Sequence, residues 1–531
     1  MSLPLKKTLM TLALLSIPFG CGQQPDAPKE PDLSRIHAMS DDRTKKVILV
    51  VADSLQSQAI EEGIAQNKLP TFEYLVKRGR YFPDFVSSYP TMSVTIDSTL
   101  LTGTDPSRHR VPGLVWYSGQ EQRIVTYGTG SFETVKNGVQ PVFLNALLHL
   151  NGKHLSDRTP TIYEDIAKRG LTSGNINGLI YRGTTPHTLS VPVWLQGTAA
   201  VPGEAEVAGP DFLALGTFSN PLEGITDVPD GLISRMGMNN RYSIEVATFL
   251  IKNNSLPDFL FVYLPDLDSR LHNKGPSDLK GVQDVDRQIQ TLLRAFGSPE
   301  EAARRAVIVV MGDSGVSQIH PRSRNSTVPL HELLGQYRVL QFGGSVTEET
   351  DLALAVNESM AYVYKLRSEP SLRDVANLLI ADERIDFASW EDNGWIHVVQ
   401  GGTGETLQYK KGGAVLDPYK QAWTVKGNPD VFDLRVDGNS LTYGDYPDGL
   451  QRLYAALHSH EGEFLVVNAE PGYELANESS PTHPGGGAHG SIYKTDSLFP
   501  VIVYGTDEKP DYRRITDLKP FILRLLDSFT S

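Results

Sequence analysis

The chain has 531 residues, more than one ordinary domain needs and enough for a large α/β enzyme core carrying one insertion. Its hydrophobic fraction of 40% and charged fraction of 21% are those of a soluble globular protein, which excludes extensive disorder beyond the N-terminus. The net charge of −14, with no basic stripe, excludes electrostatic capture of nucleic acid; an anionic substrate would need metal ions to supply positive charge.

The N-terminus reads as an export signal over residues 1–20. Lys6-Lys7 forms a basic start, Thr8 to Phe19 an apolar run too short to span a bilayer, and Gly20 precedes Cys21, the single cysteine. That placement is similar to a bacterial lipobox, although Pro18 stands where leucine is usual. The expectation is a lipid-anchored protein on the extracytoplasmic side, or a secreted one if Cys21 is not modified, with residues 21–45 as a flexible tether.

Val47 to Ala52 is an unbroken apolar run that ends in Asp53, as expected of a strand buried on both faces of a parallel sheet. Ligands bind at the carboxyl ends of such strands, so Asp53 is a candidate site residue. Gln58 to Arg78 predicts helix, interrupted at Leu69-Pro70. Next, Tyr89-Pro90-Thr91-Met92-Ser93 leads into a predicted helix closed by Thr102-Gly103. A hydroxyl at that helix start lies beside amides with no intrahelical acceptor, where a phosphate is favoured, and Ser93 is the candidate nucleophile.

Between Ser118 and Thr248 the pattern predicts a short helix over Pro160 to Ala167, a strand over Thr172 to Leu179 and surface loops around Leu195 to Gly231. Phe259 to Leu264 is a second buried strand. It runs into Asp266 and Asp268, and His272 follows four residues after Asp268. After a predicted amphipathic helix over Val285 to Phe296, Ala306 to Met311 is a third buried strand, ending in Asp313. One aspartate at a strand end is an ordinary turn residue, but three in one chain point to a shared site.

Over residues 368–454 the pattern changes to a helix, Leu372 to Asp382, and alternating strands, which predicts an inserted α+β subdomain. Residues 46–367 and 455–531 then form the catalytic domain. Glu463 to Asn468 and Leu498 to Gly505 are expected to rejoin the main sheet. They bracket the glycine-rich segment His483-Pro484-Gly485-Gly486-Gly487-Ala488-His489-Gly490, which allows close approach to a shared centre. Leu518 to Phe529 predicts a closing helix.

The inventory is Asp53, Ser93, Asp268, His272, Asp313 and His489, with His483 nearby. Mixed carboxylate and imidazole donors suit zinc or manganese, and two such ions bridged by a hydroxyl would clamp both oxygens of a phosphoryl transfer. In order and spacing this set resembles the alkaline phosphatase superfamily, most closely its type I phosphodiesterase/nucleotide pyrophosphatase branch. The resemblance rests on strand-Asp53, Pro90-Thr91-x-Ser93 through Thr102-Gly103, Asp268-x-x-x-His272-x-x-Gly275-Pro276 and His489-Gly490.

That resemblance implies an alkaline phosphatase-like three-layer α/β core with a mainly parallel sheet. It also implies two divalent ions, zinc foremost: Asp268, His272 and His489 for one, Asp53, Ser93 and Asp313 for the other. It implies hydrolysis of a small phosphate ester, diester, pyrophosphate or monoester, through a phosphoserine on Ser93. Two departures stand out. Ser314 replaces the histidine the family has after the aspartate, so the second ion is expected to be weaker, to be a harder metal such as Mn²⁺ or Mg²⁺, or to recruit His483 or His320. Leu114 lies where nucleotide-cleaving members carry asparagine. A catalytically impaired binding lipoprotein and a phosphomutase or phosphotransferase are the alternatives. The Cys/Ser-x-Pro-x-Arg motif of sulfatases is absent.

Overall fold

The computed structural model describes residues 44–128, 139–192, 203–341 and 343–530. The export signal, Cys21 and the tether up to Asp42 lie outside the described residues. Among the described residues no helix is long and apolar enough to cross a membrane.

Lys46–Ala52 is the centre of a seven-stranded sheet. It pairs in parallel with Phe259–Leu264 on one side and Ala306–Met311 on the other. Ser173–Ile176 and Phe212–Ala214 extend the parallel side, while Leu498–Tyr504 pairs antiparallel beyond Ala306–Met311 and Arg80–Val86 closes that edge. The sheet is therefore mainly parallel, as the unbroken apolar runs predict.

Strand side chains alternate between the two faces, and both faces are covered. Ile48, Val50 and Ala52 pack with Leu260, Ile308 and helices Ser57–Ala65, Pro70–Arg78, Asn240–Lys252 and Leu279–Ala295. Val47, Leu49 and Val51 pack with Phe261, Val309 and helices Ser93–Thr102, Ile162–Lys168 and Leu518–Thr530. These are the three layers expected. Each fully buried aliphatic side chain contributes roughly 1.5–3 kcal/mol, so the sheet is a firm base for the loops at its strand ends.

A second, nine-stranded sheet stands beside the first. Here the sequence reading needs a correction: Glu463–Ala469 does not rejoin the main sheet but pairs antiparallel with Met360–Lys365 and with Ile385–Asp392. Leu352–Asn357 and Met360–Lys365 also belong to it, so this lobe draws strands from both sides of residues 368–454. A buried apolar strand carries the same pattern in either sheet, and only long-range pairing distinguishes them. Helices Leu372–Leu379 and Gly449–Leu457 cover opposite faces of this second sheet.

Candidate active site

The strand ends bring the acids together through a residue that the sequence did not single out. Ser54 follows Asp53 with φ 62°, in the left-handed region uncommon for a non-glycine residue. In that turn its backbone N–H donates to Asp313 Oδ1 at 2.8 Å and its Oγ donates to Asp268 Oδ1 at 2.9 Å. One serine thus ties the ends of all three central strands.

Asp268 and His272 lie on helix Asp266–Lys274, and their i, i+4 spacing puts both on one face. His272 Nε2 is 3.2 Å and His489 Nε2 is 3.4 Å from Asp268 Oδ1, and the three donor atoms lie within 4.8 Å of one another. Both imidazoles are oriented through their other nitrogen: His272 Nδ1 bonds the Gly487 carbonyl at 2.8 Å, and His489 Nδ1 bonds the Thr91 carbonyl at 2.6 Å. Backbone contacts of this kind fix the ring and leave Nε2 for a metal. The glycines are required for it. A Cβ on Gly486 would collide with the His272 carbonyl, and Gly490, at φ +110°, passes against the Asn357 carbonyl.

Glu358, missed in the sequence, completes this end. It occupies the turn between Leu352–Asn357 and Met360–Lys365, with Oε1 3.7 Å from His272 Nε2 and Oε2 accepting the His489 N–H at 2.9 Å. No local signal marks a glutamate in a hairpin of the other lobe. His483 stacks on His272 with ring centres 4.3 Å apart and is held by buried Glu474 at 2.8 Å. It therefore stands at the Asp268 end and not beside Ser314. His320 packs edge-on against Tyr473 and belongs to neither cluster of metal-ligating side chains found among the described residues.

At the other end, Asp53 Oδ2 accepts from Tyr263 Oη at 2.6 Å, while Asp313 Oδ1 accepts from the amides of Ser54 and Ser314. Asp313 Oδ2 is buried with no hydrogen-bond partner among the described residues. Ser93 opens helix Ser93–Thr102 after Met92, half-buried at the first position. Its loop is fastened to the opposite end of the site, because Gly490 N–H donates to Thr91 Oγ1 at 2.7 Å.

The charges are poised for cations. Burial, then the charges of Asp313 and Asp268, push Asp53 well above the usual carboxylate range, and burial brings Asp313 up to about 6. Burial opposes ionisation of Asp268 too, but His272 and His489 hold it well below the normal value. Against burial, Glu358 and Asp268 raise His272 to about 11 and His489 to about 9. The first donor set, one carboxylate and two oriented imidazoles, fits zinc. The second set that the resemblance implies, Asp53, Asp313 and Ser93, contains no nitrogen donor.

The chain matches the model of the family described as type I phosphodiesterase / nucleotide pyrophosphatase over residues 47–492. It belongs to that family. Type I phosphodiesterases and nucleotide pyrophosphatases are phosphoric ester hydrolases, and the matched span contains every candidate residue from Asp53 to His489. Among solved structures it is similar to murine ectonucleotide pyrophosphatase/phosphodiesterase 5 as an inactive variant in complex with AMP, with 14% identity and a TM-score of 0.52. It is likewise similar to the human protein of that name, with 13% identity and a TM-score of 0.52. Each match covers 91% of this chain and 95% of the other, and shows the fold. No curated protein matches the sequence.

Four further side chains, His109, Trp116, Tyr117 and Arg270, are engaged in packing or pairing. His109 is fully buried, bonds Thr99 Oγ1 at 3.0 Å and is pushed down to about 3 by burial. Trp116 packs edge-on against His154 and His460, and Tyr117 packs against Tyr364, so neither is laid open for stacking on a base. Arg270 pairs with Asp278.

Proposed function

We propose that this family member hydrolyses a small phosphate ester, of the nucleotide phosphodiester or pyrophosphate type, in two displacements at phosphorus through Ser93. The observation that carries the reading is the fastening of the Ser93 loop to the imidazole cluster, through Thr91 to His489 and Gly490. Those bonds support a shared site for Ser93 and the imidazoles, which lie far apart in sequence.

Asp268, His272 and His489 would hold one divalent ion, zinc by their chemistry, and Asp53, Ser93 and Asp313 the other. When bound, such ions supply the positive charge that makes a serine hydroxyl nucleophilic and offsets charge on a phosphoryl group. Ser93 Oγ bonds to phosphorus as the ester oxygen leaves, and water then cleaves the phosphoserine and restores the hydroxyl. The free amides opening helix Ser93–Thr102 stabilise the phosphoryl oxygens. AMP bound to the murine relative favours a nucleotide as the esterified group. Cys21 would attach the protein to the outer membrane face through lipid.

The test is Ser93→Ala assayed on aryl and nucleotide phosphodiesters, with acid quenching of wild-type turnover to capture phosphoserine. Loss of at least a thousandfold and a label on Ser93 are expected. Full activity in the alanine variant would remove the mechanism.

A further inference from the structure

Asp97 has no role in any of the preceding contacts, yet it is the most anomalous acid among the described residues. It lies on helix Ser93–Thr102 one turn after Ser93, so the two share a face. It is fully buried, and neither of its carboxylate oxygens has a hydrogen-bond partner among the described residues. No basic side chain pairs with it among the described residues; the charge that acts on it is that of Asp313, and its own charge acts on Asp53. Asp313 Oδ2, also fully buried, is without a partner as well.

An unpaired buried carboxylate costs several kcal/mol. Protonation does not remove the difficulty, because a carboxylic acid here would bury an O–H without an acceptor. Three orphaned oxygens on two neighbouring acids need a donor or cation that the described residues do not provide. This is also the end of the site where Ser314 stands in place of an imidazole. Ser314 offers only a neutral hydroxyl in its place, a poor zinc ligand.

We propose that Asp97 makes good the missing imidazole. It joins Asp53, Ser93 and Asp313 around the second cation, contacting the ion through its shell of bound water. The second site is then an all-oxygen site for a hard divalent cation, Mg²⁺ or Mn²⁺, and the centre is mixed-metal, with zinc confined to Asp268, His272 and His489. Magnesium and manganese suit such a site: they favour six oxygens, keep several waters and need only one or two direct carboxylates. Zinc, which is usually held by four donors rich in nitrogen or sulfur, does not gain from it.

The inference rests on the reading that Asp53, Ser93 and Asp313 hold a second ion, and the experiment separates the two. Full-length protein carrying one zinc is titrated with Mn²⁺, free Mn²⁺ being read by electron paramagnetic resonance. Wild type is expected to bind one Mn²⁺, and Asp97→Asn to bind it at least tenfold more weakly with its zinc unchanged. Equal Mn²⁺ affinity in the two proteins overturns the role of Asp97 alone. Absence of any Mn²⁺ binding in wild type overturns the second ion itself, and Asp97 with it. If Asp97→Asn fails to fold, manganese anomalous diffraction from wild-type crystals decides. A peak whose ligand waters hydrogen-bond Asp97 supports the proposal, and a peak whose shell excludes Asp97 overturns it.

Discussion

Tyr263 donates its phenolic hydrogen to Asp53 Oδ2 at 2.6 Å from the neighbouring strand, one residue before Leu264, whose carbonyl accepts the Asp53 amide. The pair fixes which carboxylate oxygen is left for a cation. Hydrogen bonds to a charged acceptor contribute about 1.5–3 kcal/mol. Tyr263→Phe should therefore weaken binding of the second ion by roughly 10–100-fold, as other losses of a ligand's outer partner do. Metal titration checks it, with zinc at Asp268, His272 and His489 as the internal control; unchanged affinity for both ions would show the tyrosine to be packing alone.

Zinc uptake should release protons. Without metal, His272 and His489 are held up to about 11 and about 9, so both imidazoles are charged at neutral pH and must lose a proton to bind. Affinity then rises with pH, by roughly two protons per ion below about 9 and one from there to about 11. Calorimetry at pH 7.5 in buffers of different ionisation enthalpy measures the release directly. An enthalpy that does not depend on the buffer would contradict it.

Asp386 predicts the pH dependence of stability. It is buried in the second sheet, where Tyr446 Oη at 2.8 Å and Asn468 Nδ2 at 3.2 Å donate to its two oxygens, yet burial and then Glu470 carry it up to about 8. A carboxyl raised on folding gives stability that is complete below its unfolded value near 4 and is lost as pH rises through about 8. Asp386→Asn, which stays neutral, should flatten that decline and exceed wild type by on the order of 2–3 kcal/mol at pH 9. Chemical denaturation across pH 5 to 9 reads both curves; parallel curves would remove the assignment.

Arg452 joins the two lobes. From helix Gly449–Leu457 its guanidinium donates to the Ser88 carbonyl at 2.8 Å and to Ser497 Oγ at 2.8 Å, on the segments that lead into Ser93 and follow His489. Arg452→Met keeps the volume and leaves those acceptors unmatched, at a cost of about 2–4 kcal/mol. We expect a lower melting temperature together with a lower kcat, because the loop before Ser93 loses its brace. A stable variant with wild-type kcat would show the two lobes to be independent of this contact.

The sequence by itself determined the elements whose cause is local. Unbroken apolar runs specified Lys46–Ala52, Phe259–Leu264 and Ala306–Met311 as strands buried on both faces, and aspartates at or just past their ends marked the edge where the acids gather. The spacing of Asp268 and His272 already set them on one helical face. Tertiary structure decided whatever depends on partners distant in the chain. It gave Glu463–Ala469 to the second sheet, because burial on both faces reads the same whichever neighbour a strand takes. It brought Glu358 against a histidine 131 residues away, set Ser54 as the tie between Asp313 and Asp268, and left buried Asp97 without a hydrogen-bond partner among the described residues. Those four facts have no signature in composition or periodicity, since electrostatic and hydrogen-bond partners are chosen by the folded backbone and not by spacing along the chain.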